Sequence, residues 1–170
     1  MSLDLRFDRG FLGMVEPADA LRVLAALLRE GETPISAHVV EPGEEPDLGL
    51  LAAAGPRAAA APAEYALVVE AVREGYLLHY GEPRLLSGQD EDLALLAGDY
   101  LYAFGIERLA ALGDAEAVAI LAELIARCAQ LHAEGRAGEV PTLWRAAATA
   151  VGGGAHGDTS SARVNRLPTS

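Results

Sequence analysis

Lysine is absent from this chain, and cysteine occurs once. All thirteen basic residues are arginines, so no Schiff-base lysine and no phosphate-binding lysine is available. A lone Cys128 excludes an intrachain disulfide and a thiolate metal cluster. Its surroundings, Leu124-Ile125-Ala126-Arg127-Cys128-Ala129, have helical character and predict a small buried hydrophobe. Aromatic residues make up only 5% of the chain, which together with few β-branched residues argues against a sheet-rich fold. Positive charge is scarce: 13 basic residues face 25 acidic ones, for a formal net charge of −12. Non-specific binding to nucleic acid or to anionic membrane needs clustered positive charge, which this balance does not supply. No apolar run reaches membrane-spanning length, and no basic segment followed by an apolar core opens the sequence. The default expectation is a soluble cytoplasmic protein without direct membrane insertion.

What is abundant is alanine and leucine, a helix-forming composition. With 170 residues the chain fits one domain and can bury a substantial core. Residues 1–15 mix Leu3, Leu5, Phe7, Phe11, Leu12 and Met14 with charges and glycines, and read as an N-terminal arm packing on the body or on a partner. Pro17 suits a first helical turn, and Leu21, Leu24, Ala25 and Leu28 form one apolar stripe that Gly31 ends. Residues 33–40 alternate loosely and predict an extended segment or short strand carrying His38, read as an ordinary structural or surface histidine. A short helix is predicted over 47–54, and longer ones over 63–80, 90–112, 115–134 and 141–151. Asp90 is a good N-cap, and Asp90, Glu91 and Asp92 complement the helix dipole. Adjacent helix positions diverge by about 100°, so this triplet reads as a cap rather than a cation site. The tight link Gly113-Asp114 predicts that the helices before and after it pair as an antiparallel hairpin. From Gly152 to Ser170 the chain is rich in Gly, Ser and Thr and reads as a flexible tail, leaving 1–151 as a single helical domain.

The stretch from Gly81 to Tyr102 is expected to organise this fold. Gly98 and Gly105 lie seven residues apart, hence on nearly one face of the 90–112 helix. Each costs about 1 kcal/mol relative to Ala in a helix interior, which predicts another helix packed closely against the backbone there. Gly81-Glu82-Pro83, followed by Leu96-Ala97-Gly98-Asp99-Tyr100-Leu101 and then Gly113-Asp114-x-Glu116-Ala117, resembles the polyprenyl synthetase family, the trans-isoprenyl diphosphate synthases. The likeness covers roughly residues 50–135. It implies an all-α bundle similar to a fragment of the isoprenoid synthase fold. It also implies that the helix bearing Gly98, Tyr102 and Gly105 contributes to a subunit interface.

The departures from that family bear on function. Members carry an Asp-Asp-x-x-Asp motif shortly before the turn, whose carboxylates hold Mg²⁺ ions that neutralise the diphosphate of an allylic substrate. The matching position here is Glu70-Ala71-Val72-Arg73-Glu74, with one carboxylate fewer and an arginine among them. Glu70 and Glu74 are one turn apart, and the expectation is a solvated helix face. His79-Tyr80 stands where the family has an arginine pair, and the diphosphate-binding basic segment upstream has no counterpart. Asp99, inside an apolar helix, is expected to cap, to pair with Arg108 or another arginine, or to mark a partner contact. His79 and His132 sit near helix ends, where histidine complements the terminal carbonyls. No phosphate loop or catalytic triad pattern occurs. No catalytic residue, metal ligand or cofactor is therefore assigned.

The leading expectation is a non-catalytic, prenyl-synthase-like helical protein acting through a protein partner or self-association through the 90–112 helix, as the small subunit of a heteromeric prenyl diphosphate synthase. One alternative is a helical accessory or assembly subunit of an unrelated complex. Another is a minimal Mg²⁺-dependent isoprenyl diphosphate enzyme using Glu70, Glu74 and Asp99.

Overall fold

A computed structural model describes residues 9–154. Among them, six helices follow a single helical turn, α1 (Arg9–Leu12). They are α2 (Ala20–Glu30), α3 (Asp47–Ala53), α4 (Pro62–Tyr80), α5 (Glu91–Ala111), α6 (Ala115–Ala133) and α7 (Val140–Val151). The fold is all-α, as composition and periodicity predict. None of the described helices is long and apolar enough to cross a membrane.

The local signals act where they were expected. Leu21, Leu24, Ala25 and Leu28 all point inward from α2, and the Gly31 N–H closes its end on Leu27 O at 3.1 Å. The Asp90 carboxylate accepts the Leu93 N–H at 2.8 Å; the Asp114 carboxylate, which the sequence marked only as part of a tight link, accepts that of Ala117 at 2.9 Å. Each satisfies a donor that the first helical turn leaves without an intrahelical partner.

Most of residues 33–40 form turns and not the expected extended segment or short strand. Ser36 Oγ donates to Leu28 O at 2.8 Å and accepts from the Thr33 N–H at 3.0 Å. These bonds hold Ser36–His38 in a 3₁₀ turn. Local side-chain bonds outcompete ladder pairing there. Only one antiparallel bridge, Val39 with Leu86, remains among the described residues.

The organising element is α4, not the Gly81–Tyr102 stretch. Fourteen of its nineteen residues are buried, so it runs through the middle of the bundle instead of along its surface. One side of α4 presents Val68, Val69, Val72 and Tyr76 to Leu121, Leu124, Cys128 and Leu131 of α6 and to Trp144 of α7. The other presents Leu67, Ala71 and Leu78 to Leu24 and Leu28 of α2 and to Leu101 and Phe104 of α5. The apolar residues of α4 are not confined to one stripe, which suits a helix packed on more than one side. The expected α5–α6 pairing is correspondingly secondary: α5 lies chiefly along α4, and α6 along α7.

The Gly152–Gly154 run belongs to the body and not to a tail. Gly152 is buried, its carbonyl accepts the Arg57 N–H at 2.9 Å, and a Cβ on it would collide with the Ala52 backbone. The rest of the predicted tail, and the arm up to residue 8, lie outside the described residues.

Candidate functional site

Glu70 and Glu74 are the two positions at which the family likeness would put metal-binding carboxylates. Both are 0% exposed, which corrects the expectation of a solvated face. Their partner is Arg84, supplied by the turn after α4. Its guanidinium donates to Glu70 Oε2 at 2.7 Å and to Glu74 Oε2 at 3.0 Å. The other two carboxylate oxygens accept backbone N–H groups. Glu70 Oε1 takes that of Gly49 at 2.7 Å, and Glu74 Oε1 takes those of Arg84 and Leu85 at 2.7 and 2.8 Å. Burial works against the charge on Arg84, but the two glutamates outweigh it and push its pKa above the ordinary arginine value. The arrangement is a clasp: it ties α3, α4 and the 81–86 turn together through charge-assisted bonds.

The same geometry decides whether these residues fit the Mg²⁺ that the likeness implies. Mg²⁺ requires near-octahedral oxygen ligation and retains several waters. All four carboxylate oxygens already have hydrogen-bond donors, and neither side chain reaches solvent. The donor set does not fit the ion, and Asp99 does not complete it. Asp99 sits on the outside of α5 with its side chain 75% exposed, 3.1 Å from His79 Nε2. The arginine considered for it, Arg108, instead donates to buried Glu64 at 2.9 Å and lies over the Phe104 ring. Arg73, the remaining charge on α4, stacks over Tyr76 and Trp144 at 5.1 Å from each ring centroid.

His132 meets two tyrosines of α4, and His79 meets one of α5. His132 Nε2 is 2.9 Å from the Tyr76 hydroxyl, and its ring stacks on Tyr80 at 4.1 Å. His79 stacks on Tyr102 at 5.3 Å. His38 Nδ1 lies 3.2 Å from Ser87 O, beside the Val39–Leu86 bridge. Cys128 is buried, as expected, and burial pushes its thiol up to about 11, far from thiolate reactivity at neutral pH.

The predicted interface residues all meet α4 of their own chain. A Cβ on Gly98 would stand 2.6 Å from His79 Nε2 and 3.1 Å from Gly75 O. One on Gly105 would collide with Val72 Cγ2 and lie 3.3 Å from Val68 O. Tyr102 is half-buried over Gly75 and His79. The close approach predicted from the glycine spacing is present, but the neighbour is α4 and not a second subunit. That face is filled within the fold.

The side of α5 that remains open carries what sequence reasoning missed. Leu95 and Leu96 are 45% and 67% exposed, although both look like core positions in an apolar helix. The signal for this was the absence of a single stripe: the apolar residues of α5 are not confined to one side, while the described helices pack chiefly on one side of it. No family model matches this chain, and no curated protein or solved structure matches it.

Proposed function

We propose that this protein is a non-catalytic, polyprenyl-synthetase-like helical protein that acts in the cytoplasm through association with a protein partner. The model for its action is the small subunit of a heteromeric prenyl diphosphate synthase. The observation that carries the reading is the seating of Arg84 between Glu70 and Glu74. At the position where catalytic relatives would hold diphosphate-bound metal, this chain has a buried, self-neutralised clasp. An enzyme that ionises an allylic diphosphate needs open oxygen ligands and positive charge facing a substrate cavity. Here the carboxylates are closed off and the arginine is committed to them.

Calorimetric titration of the isolated protein with farnesyl diphosphate, with and without Mg²⁺, tests this directly. The expected result is no Mg²⁺-dependent binding. Mg²⁺-dependent binding that disappears in the Glu70→Gln/Glu74→Gln double variant would overturn the proposal in favour of the minimal enzyme. The accessory-subunit alternative shares the association mode, and affinity capture of the tagged protein, with the retained proteins identified by mass spectrometry, separates the two.

A further inference from the structure

We infer that Arg73, held between Tyr76 and Trp144, is a binding site for a small free carboxylate at the junction of α4 and α7. The site stands apart from the association reading above and does not rest on it.

The buried arginines of this chain follow a pattern. Arg57, Arg84 and Arg108 have side chains only 22%, 12% and 13% exposed, and each meets a carboxylate. Arg57 pairs with Glu116, Arg84 with Glu70 and Glu74, and Arg108 with Glu64. Arg73 breaks the pattern. It is half-buried, yet among the described residues it makes neither an ion pair nor a hydrogen bond. Its Nη1 is enclosed without an acceptor, whereas its other guanidinium nitrogens are not enclosed, which leaves one edge approachable. Glu70 and Glu74, on the same helix, cannot turn to it. Arg84 and backbone N–H groups already hold all four of their oxygens. Burial first, and then the charge of Arg84, push the Arg73 pKa below the ordinary arginine value. The surroundings within the chain therefore do not compensate its charge.

The neighbours select the ligand. The guanidinium carbon lies 5.1 Å from the Tyr76 and Trp144 ring centroids, and the two rings are tilted by 59°. A guanidinium set against aromatic faces keeps its in-plane N–H groups for hydrogen bonding. A carboxylate meets that planar fork with two parallel bonds, and a partly enclosed setting strengthens the pair. The adjoining groups are donors as well. Trp144 is 1% exposed, and its Nε1 is offered only the Cys128 thiol, a weak acceptor. The Tyr76 hydroxyl is engaged with His132. A cluster of donors around one cation favours an anion over an amine or a metal ion. Phosphate sites add a nest of backbone N–H groups or further basic side chains. Here the other cation acting on Arg73 is Arg84, which is committed to its glutamates.

Trp144 is the only tryptophan, so its emission reports on this site alone. Sodium acetate is titrated into the full chain against sodium chloride at constant ionic strength, and tryptophan emission and ¹H–¹⁵N shifts are followed. The expected result is a saturable change in emission, with shifts at the Trp144 indole N–H and the amides of residues 73–76. Arg73→Met should weaken the response roughly tenfold or more, as loss of a charged hydrogen-bond partner does. Arg73→Lys keeps the charge but not the planar fork, and should weaken it as well.

A response that never saturates, an equal response to chloride, or saturation that persists in Arg73→Met would each overturn the inference. Tighter saturation by inorganic phosphate than by acetate would overturn it in favour of a phosphate site. If Arg73→Met does not fold, the indole N–H of the unaltered chain decides. Acetate must shift it saturably, and shifts confined to other residues overturn the site. Failure of the non-catalytic reading appears elsewhere, in the Mg²⁺ and farnesyl diphosphate titration.

Discussion

Helices α4 and α5 look alike in the sequence and are used differently in the fold. Neither confines its apolar residues to one stripe, and both are about twenty residues long. Yet α4 buries fourteen residues and α5 only six. The reason is neighbours. Around α4 stand α2, α3 and α5, with side chains of α6 and α7 closing the remaining side. Against α5 there is chiefly α4. The charges differ in the same sense. Glu64, Glu70 and Glu74 of α4 are buried and paired with Arg108 and Arg84, whereas Asp92 and Glu107 of α5 face water. Apolar residues spread beyond one stripe therefore have two outcomes in this fold: a central position, or a surface position whose outer face mixes leucines with carboxylates.

The comparison can be broken most forcefully at the clasp. Arg84→Met leaves two buried carboxylates without their counter-charge, and loss of one partner of a buried ion pair costs about 3–5 kcal/mol. Urea denaturation should show that loss as a lower midpoint; an unchanged midpoint would mean that the α4 carboxylates are solvated after all.

A smaller effect is expected at the α4–α5 contact. Gly105→Ala puts a methyl group into Val72 and close to Val68 O, and overpacking of this kind costs about 1–3 kcal/mol. If Gly105 instead faced only a second subunit, the same change would lower oligomer mass and leave monomer stability untouched.

The smallest effect on stability is expected on the open side of α5. Leu96→Glu should change the unfolding free energy by no more than about 0.5 kcal/mol, as surface substitutions away from special features do. A large destabilisation would show that Leu96 is packed within the monomer, and would remove the contrast between the two helices.

Much of the secondary structure was legible because its determinants are local. Asp90 and Asp114 cap their helices with side chains three residues from the amide they satisfy. Pro62 opens α4, and Gly31 closes α2. The glycine pair announced a close backbone contact for an equally local reason, since two poor helix formers share one face. Less of the candidate site could be read. Glu70 and Glu74 looked solvated because the arginine that justifies their burial is ten to fourteen residues downstream, beyond the end of the helix. Gly152 looked like the start of a tail because its packing against Ala52 and Gly55 joins segments about a hundred residues apart in the chain.

By itself the sequence determined the all-α class, the helix boundaries and the presence of a close-packed glycine face. These follow from hydrophobic spacing, capping groups and backbone sterics, all of which act within a few residues. The tertiary structure alone decided that α4 is the centre, that its carboxylates are closed by Arg84, and that the glycines of α5 meet their own chain. Those outcomes depend on which distant segments share space. A buried charge is tolerable only where a distant counter-charge arrives, and a helix face is open only where no other segment covers it.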